Sequence, residues 1–286
     1  MTNPDPLLAY SPPQMLEKAS SAGIKKANLA FWPTFLLAVL AGMYIAFGGV
    51  FSTVVATGTM DIWPYGIVKL VQGLVFSLGL ILVIVGGAEL FTGNILMVIP
   101  LLQKKIYFSQ LLRNWFLVYT GNFIGSIIIA GLIIAAGSYH GSNGTIGTTM
   151  IRIAESKLQH TFLQALSLGI LCNILVCLAV WLCYSARSTA DKVLAIVFPI
   201  SAFIAAGFEH SVANMYLLPV ALFLKFFDPS FLNQVSVDLS NLSWANFLLD
   251  NLLPITLGNI IGGGLFVGIA YFLAYGHKPG NNDTKQ

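Results

Sequence analysis

Glu209 and His210 stand side by side in a run that is otherwise almost free of charge, with Val193 to Ala206 before them and Met215 to Phe227 after. An ionisable side chain at mid-membrane costs about 2.5–3.5 kcal/mol on insertion scales, so this pair marks a candidate site on a transport path. A structural ion pair, or a capped break between two half-helices, is the competing reading. A second segment has the same pattern: Glu89-Leu90-Phe91-Thr92-Gly93-Asn94 lies beside Glu209-His210-Ser211-Val212-Ala213-Asn214 when the two are aligned. A broken helix exposes N–H groups at the start of its second half, and a carboxylate suits their partial positive charge. Glu89 and Glu209 therefore read as internal caps, with Asn94 and Asn214 belonging to the same breaks. His210 and Thr92 are the better solute contacts. An imidazole donates to an anion and titrates near neutrality, and a hydroxyl donates or accepts without carrying charge. His210 bonded only to a backbone carbonyl is the alternative.

Lys157 and Asn173 form a second polar pair, Lys157 in the connection before one apolar run and Asn173 near the middle of that run. An ammonium folded back over a pore would raise the local anion concentration, whereas a snorkelling interfacial lysine would not. Phe76, Leu80, Leu90, Phe91, Val176 and Phe203 are bulky apolar residues near the breaks. Taken singly each reads as packing, although large side chains at a constriction also exclude hydrated ions.

The elements that position these residues are membrane spans. With 57% hydrophobic and 9% charged residues and a mean hydropathy of +0.82, the 286-residue chain lies far from soluble composition. Apolar runs cover about 31–56, 66–101, 107–136, 159–184, 191–226 and 246–275, giving six crossings. At roughly 1.5 Å rise per residue against about 30 Å of hydrocarbon, the second and fifth are too long for one straight span. Each carries its polar cluster near the middle, so each reads as a broken helix or a helix plus a re-entrant segment. Residues 1–28 form an N-terminal segment with an amphipathic stretch, Pro12 to Ala27, expected along the membrane surface, with a plain solvated tail as the alternative. The channel domain spans 29–276 and a tail covers 277–286. The polar, Pro-interrupted start lacks a signal-peptide core, so the first span is expected to serve as the targeting signal. Lys and Arg concentrate before the first run, around 104–113, at 187–192 and in the tail, which places both termini in the cytoplasm. A net charge of +3 in such a chain gives no reason to expect nucleic acid.

The halves match. Glu89 and Asn94 align with Glu209 and Asn214 at an offset of 120, Asn122 and Gly125 with Asn259 and Gly262 at 137, and Thr34-Phe35 with Thr161-Phe162 at 127. Each half, about 31–136 and 159–275, then has three crossings, and an odd number forces the second to insert from the opposite face. The repeat is inverted, an architecture of channels and transporters. Nothing suggests catalysis: there is no G-x-x-x-x-G-K-[ST] and no H-E-x-x-H, and Cys172, Cys177 and Cys183 lack metal-ligand spacing. No cofactor or metal is expected, and an intramembrane enzyme built on Glu209-His210 is a remote alternative.

At these residues the chain resembles the formate/nitrite transporter family. Ile84-Val85-Gly86-Gly87-Ala88-Glu89-Leu90-Phe91-Thr92-Gly93 fits one signature, Gly169 to Leu178 a second, and Gly207 to Met215 the family's histidine segment; the likeness runs from about Phe31 to Tyr275. The resemblance implies an aquaporin-like protomer in a homopentamer of a bacterial inner membrane, with one pore per protomer. It implies passive or proton-coupled passage of small monovalent anions such as formate, nitrite, acetate or hydrosulfide. By position it makes His210 and Thr92 the central site, Lys157 with Asn173 a polar relay, and Leu90, Phe91, Val176 and Phe203 constriction residues. Phe76 and Leu80 would form a cytoplasmic slit, and the N-terminal segment would gate with pH. Glu89 stands where formate channels of the family carry Asp, and Gly93-Asn94 replaces small hydroxyl residues, which leaves the choice of anion open. A neutral-solute facilitator is the second reading.

Overall fold

A computed structural model describes residues 8–59, 62–236 and 238–276. Among them every regular element is helical. The principal helices are α1 (Pro12–Asn28), α2 (Phe31–Ala56), α3 (Tyr65–Gly86), α4 (Phe91–Leu102), α5 (Phe108–Ala135), α6 (Thr145–Leu158), α7 (Phe162–Ser185), α8 (Thr189–Ala205), α9 (Ser211–Phe227) and α10 (Trp244–Tyr275). Five of these, α2, α3, α5, α7 and α10, are long and apolar enough to cross a membrane. Outward-facing Trp32, Leu36, Phe116, Leu163 and Phe198 are more than half exposed, as expected of surfaces that meet lipid or another protomer.

Local chemistry sets the helix starts. Ser11 with Gln14, Thr161 with Gln164 and Ser188 with Asp191 form reciprocal capping boxes at α1, α7 and α8. Gly87 (φ +77°) and Gly207 (φ +72°) end α3 and α8 in the left-handed region, where a side chain would be strained although space is open around both. The apolar runs read as 66–101 and 191–226 therefore each consist of two helices joined by a short extended segment.

Backbones approach where side chains are missing. α2 packs on α5 and α3, and α7 packs on α10 and α8. A Cβ on Gly125 would strike the carbonyl of Val39, and one on Gly262 the carbonyl of Ile170. These contacts use the small-residue packing common to membrane helices.

Two elements depart from the sequence reading. α1 turns its apolar face to protein. Its apolar face, Met15, Leu16, Ala19 and Ala27, is buried against α4, α5, α7 and α10, and Ser20 donates to Gln103 Oε1 at 2.6 Å. Amphipathicity alone does not distinguish a lipid surface from a protein one. The connection between α5 and α7 contains α6, whose buried Met150, Ile151 and Ala154 seat it beside α9 and α2. Its short length and high polarity hid it from a search for spans.

Substituting Leu at Gly125 or Gly262 should abolish monodisperse protein in detergent size-exclusion chromatography. Gly66→Leu, where nothing lies within 4 Å, should leave the elution profile unchanged.

Candidate functional site

The segments between α3 and α4 and between α8 and α9 must leave backbone groups unpaired in a low-dielectric interior, and two fully buried asparagines meet that need. Asn122, on α5, accepts from Phe91 N at 2.9 Å and donates to Glu89 O (2.9 Å) and Ala38 O (2.7 Å). Asn259, on α10, accepts from Ser211 N at 2.9 Å and donates to Glu209 O (3.1 Å) and Gly169 O (2.8 Å). Each amide holds the extended segment, the first N–H of the following helix and a carbonyl of a neighbouring helix. The backbone N–H groups of Glu89 and Glu209 reach Leu37 O and Leu168 O.

The capping role expected of the Glu89 and Glu209 side chains thus belongs to Asn122 and Asn259. The carboxylates instead anchor two matching rings. Lys26 Nζ donates to Glu89 Oε1 (2.8 Å) and Asn94 Oδ1 (2.9 Å). Asn94 Nδ2 donates to Glu89 Oε2 (2.6 Å) and Asn114 Oδ1 (2.9 Å), and Asn114 returns to Lys26 O. In the other ring Lys157 Nζ meets both oxygens of Glu209 at 2.7 and 2.8 Å. Asn214 Nδ2 joins Glu209 Oε2 to Asn251 Oδ1, and Asn251 Nδ2 closes on Lys157 O. Both acids are nearly buried, so pairing offsets the cost of holding their charge.

The expected Lys157–Asn173 pair is not formed. Asn173 lies on α7 and donates to Asn259 O (2.6 Å) and Thr92 O (3.3 Å), so it supports the centre instead of relaying charge from Lys157. A carboxylate is the stronger partner for an ammonium, and α6 brings Lys157 to Glu209.

Thr92, three residues after Glu89, and His210, next to Glu209, meet at the centre. Thr92 Oγ1 and His210 Nε2 are 2.9 Å apart and both side chains are buried. His210 Nδ1 accepts from Ala213 N at 3.0 Å, so the imidazole caps α9 together with Asn259. With Nδ1 occupied as acceptor, the neutral ring carries its proton on Nε2 and donates to Thr92 Oγ1, leaving the Thr92 hydroxyl hydrogen free to turn toward a solute.

Cavities of about 430 and 390 Å³ approach the pair from two sides. The first is lined by Lys25, Lys26, Glu89, Leu80, Leu90 and Lys192 among others. The second is lined by Lys69, Gln72, Phe76, Arg152, Lys157 and Glu209 among others. Neither is lined by Thr92 or His210. Phe203 stacks on the His210 ring (5.9 Å) and meets Phe76 edge-on (5.8 Å). Leu80 and Phe76, one turn apart on α3, line different cavities. Phe91 packs edge-on against Tyr119 and Trp115, and Val176 is buried; neither lines either of these two cavities.

Lys26, Asn114, Asn122, Asn251 and Asn259 were missed as site residues. The asparagines were visible only as positions shared by the two halves, and Lys26 only as a basic residue near a span.

Residues 13–273 match the family described as Formate/nitrite transporter. The chain belongs to the formate/nitrite transporter family. Relatives within it include Formate channel FocA of Escherichia coli (strain K12), 44% identical over 277 residues, 96% of each chain. FocA of Haemophilus influenzae is 40% identical, covering 92% of this chain and 93% of that one. A solved pentameric formate channel with formate bound superposes with a TM-score of 0.79 at 45% identity, over 87% of this chain and 98% of that chain. A further family ion channel reaches 0.78 at 29% identity, covering 93% and 99%. Membership in the formate/nitrite transporter family is membership in a family of channels and transporters, not enzymes.

Lys157→Met leaves buried Glu209 without its hydrogen-bonded ion-pair partner and should lower stability by about 3–5 kcal/mol. Adding Glu209→Gln should recover part of that loss in thermal unfolding. Asn259→Ala, which orphans Ser211 N, Glu209 O and Gly169 O, should cost about 2–3 kcal/mol by the same measurement.

Proposed function

We propose that this protein conducts formate and related small monovalent anions across a bacterial inner membrane. The observation that carries this reading is the Thr92–His210 pair, buried in an apolar neck between two lysine-bearing cavities. A bare anion loses most of its hydration in such a neck, and an unpaired polar group there is costly. Donors held in place by the Ala213 and Asn173 contacts meet the anion without having to reorganise.

In this reading α3 with α4, and α8 with α9, each make one crossing, so the chain crosses six times in two inverted three-helix repeats of aquaporin-like form. The two matching Lys–Glu–Asn–Asn rings and the two matching asparagine anchors support that symmetry. Residues 1–28 serve as an N-terminal segment, 29–276 as the channel domain and 277–286 as a tail, with both termini cytoplasmic. A homopentamer with one pore per protomer is proposed from the likeness to the solved pentameric formate channel.

Formate enters a cavity, passes the Leu80/Leu90 or the Phe76/Phe203 side of the neck, and meets the Thr92 hydroxyl and His210. Contact there either stabilises the anion by hydrogen bonding or lets it cross as the neutral acid, with His210 sharing in the proton exchange. Glu89 in place of the shorter Asp keeps nitrite, acetate and hydrosulfide as companion substrates to compare with formate. In proteoliposomes, formate flux should exceed glycerol flux by at least about tenfold; equal rates would favour a neutral-solute facilitator. His210→Asn should flatten the pH dependence of formate flux across pH 5–8, and an unaltered profile would remove the proton role of that residue.

A further inference from the structure

The lysines nearest the neck contribute no net charge to their cavities. Lys26 is matched by Glu89 and Lys157 by both oxygens of Glu209, so from a few ångströms away each pair is a dipole. Lys69 differs. It occupies the stripe Tyr65–Lys69–Gln72–Phe76 on α3, spaced at three or four residues, and all four residues line the 390 Å³ cavity that leads to the Phe76/Phe203 side of the neck. Its ammonium lies 5.6 Å above the Tyr65 ring and has no hydrogen-bond or carboxylate partner among the described residues. It is close enough to Lys157 and Glu209 for direct electrostatic interaction with both. Among the described residues, the other charged or titratable groups facing the same cavity are Arg152 and His160.

We propose that Lys69 is the residue that concentrates anions in this cavity and disfavours cations there. The reason is geometric. A half-buried unmatched ammonium on the wall of a narrow, low-dielectric recess focuses its field into the recess, an arrangement that raises local counter-ion concentration and association rates. Position along α3 sets the order of events. An anion meets Lys69 two turns before the Phe76 ring, so capture precedes dehydration. Lys157, locked to Glu209, holds α6 and the break together and is not the source of the attraction. The cavity on the other side has Lys25 and Lys192 on its walls, neither with a carboxylate partner among the described residues, and the same device applies there.

This inference rests on the anion-conducting reading, and one experiment separates the two. Initial formate flux is measured in proteoliposomes against formate concentration, at low and high ionic strength, for wild type, Lys69→Gln, Lys69→Glu and Lys69→Arg. At about 0.01 M salt the Debye length is about 30 Å, and at about 1 M it is about 3 Å, so a field effect must vanish at the higher value. Lys69→Gln should raise the half-saturating formate concentration at least about threefold at low salt, Lys69→Glu more, and both should approach wild type at high salt. Lys69→Arg should stay close to wild type throughout. An equal fractional loss at both ionic strengths would make Lys69 a structural residue and overturn the proposal, as would Gln and wild-type curves that coincide at low salt. Absence of formate flux in the wild type would remove the conducting reading and this one with it.

Discussion

The structure depends on supplying hydrogen bonds to backbone that leaves a helix inside a membrane protein. Two stretches of three residues, 88–90 and 208–210, leave helical pairing in the interior, and Asn122 and Asn259 supply the missing partners. Each asparagine uses both ends of its amide, so a single side chain satisfies a donor and two acceptors from different segments. That economy keeps the segments extended, and the extended segments present Thr92 and His210 to one another. Without these two amides Thr92 and His210 would have no fixed address.

Charge is treated in the same manner. Glu89 and Glu209 would be costly where they lie, and each is held by an ammonium and an asparagine amide within 2.9 Å. The lysines come from helices peripheral to the breaks, α1 and α6, so the acids tie short amphipathic elements to the central ones. Electrostatic neutrality at the rings leaves the excess charge of the cavities to residues further out.

Much of this was legible in the chain. Polar clusters inside over-long apolar runs marked both breaks, because a charge in hydrocarbon needs a reason. Glu89, Glu209, Asn94, Asn214, Thr92 and His210 were picked out on that basis. What could not be read was which partner each group takes. Carboxylates beside exposed N–H groups look like caps, and only the three-dimensional course of α5 and α10 shows that amide side chains occupy that place. Lys157 and Asn173 share a stretch of sequence but serve different centres. Phe76 and Leu80 share a helix face, yet one turn suffices to carry them past the neck. α6 escaped notice because a helix that lies against protein needs only a narrow apolar stripe.

The attachment of α1 has a thermodynamic meaning beyond packing. Its Lys26 is the counter-ion of Glu89, so any displacement of α1 carries a cation out of the interior and strands an anion. A stranded carboxylate in such surroundings takes up a proton or finds another cation. The seating of the amino-terminal helix and the ionisation state of Glu89 are therefore linked variables: a change in either one must shift the other.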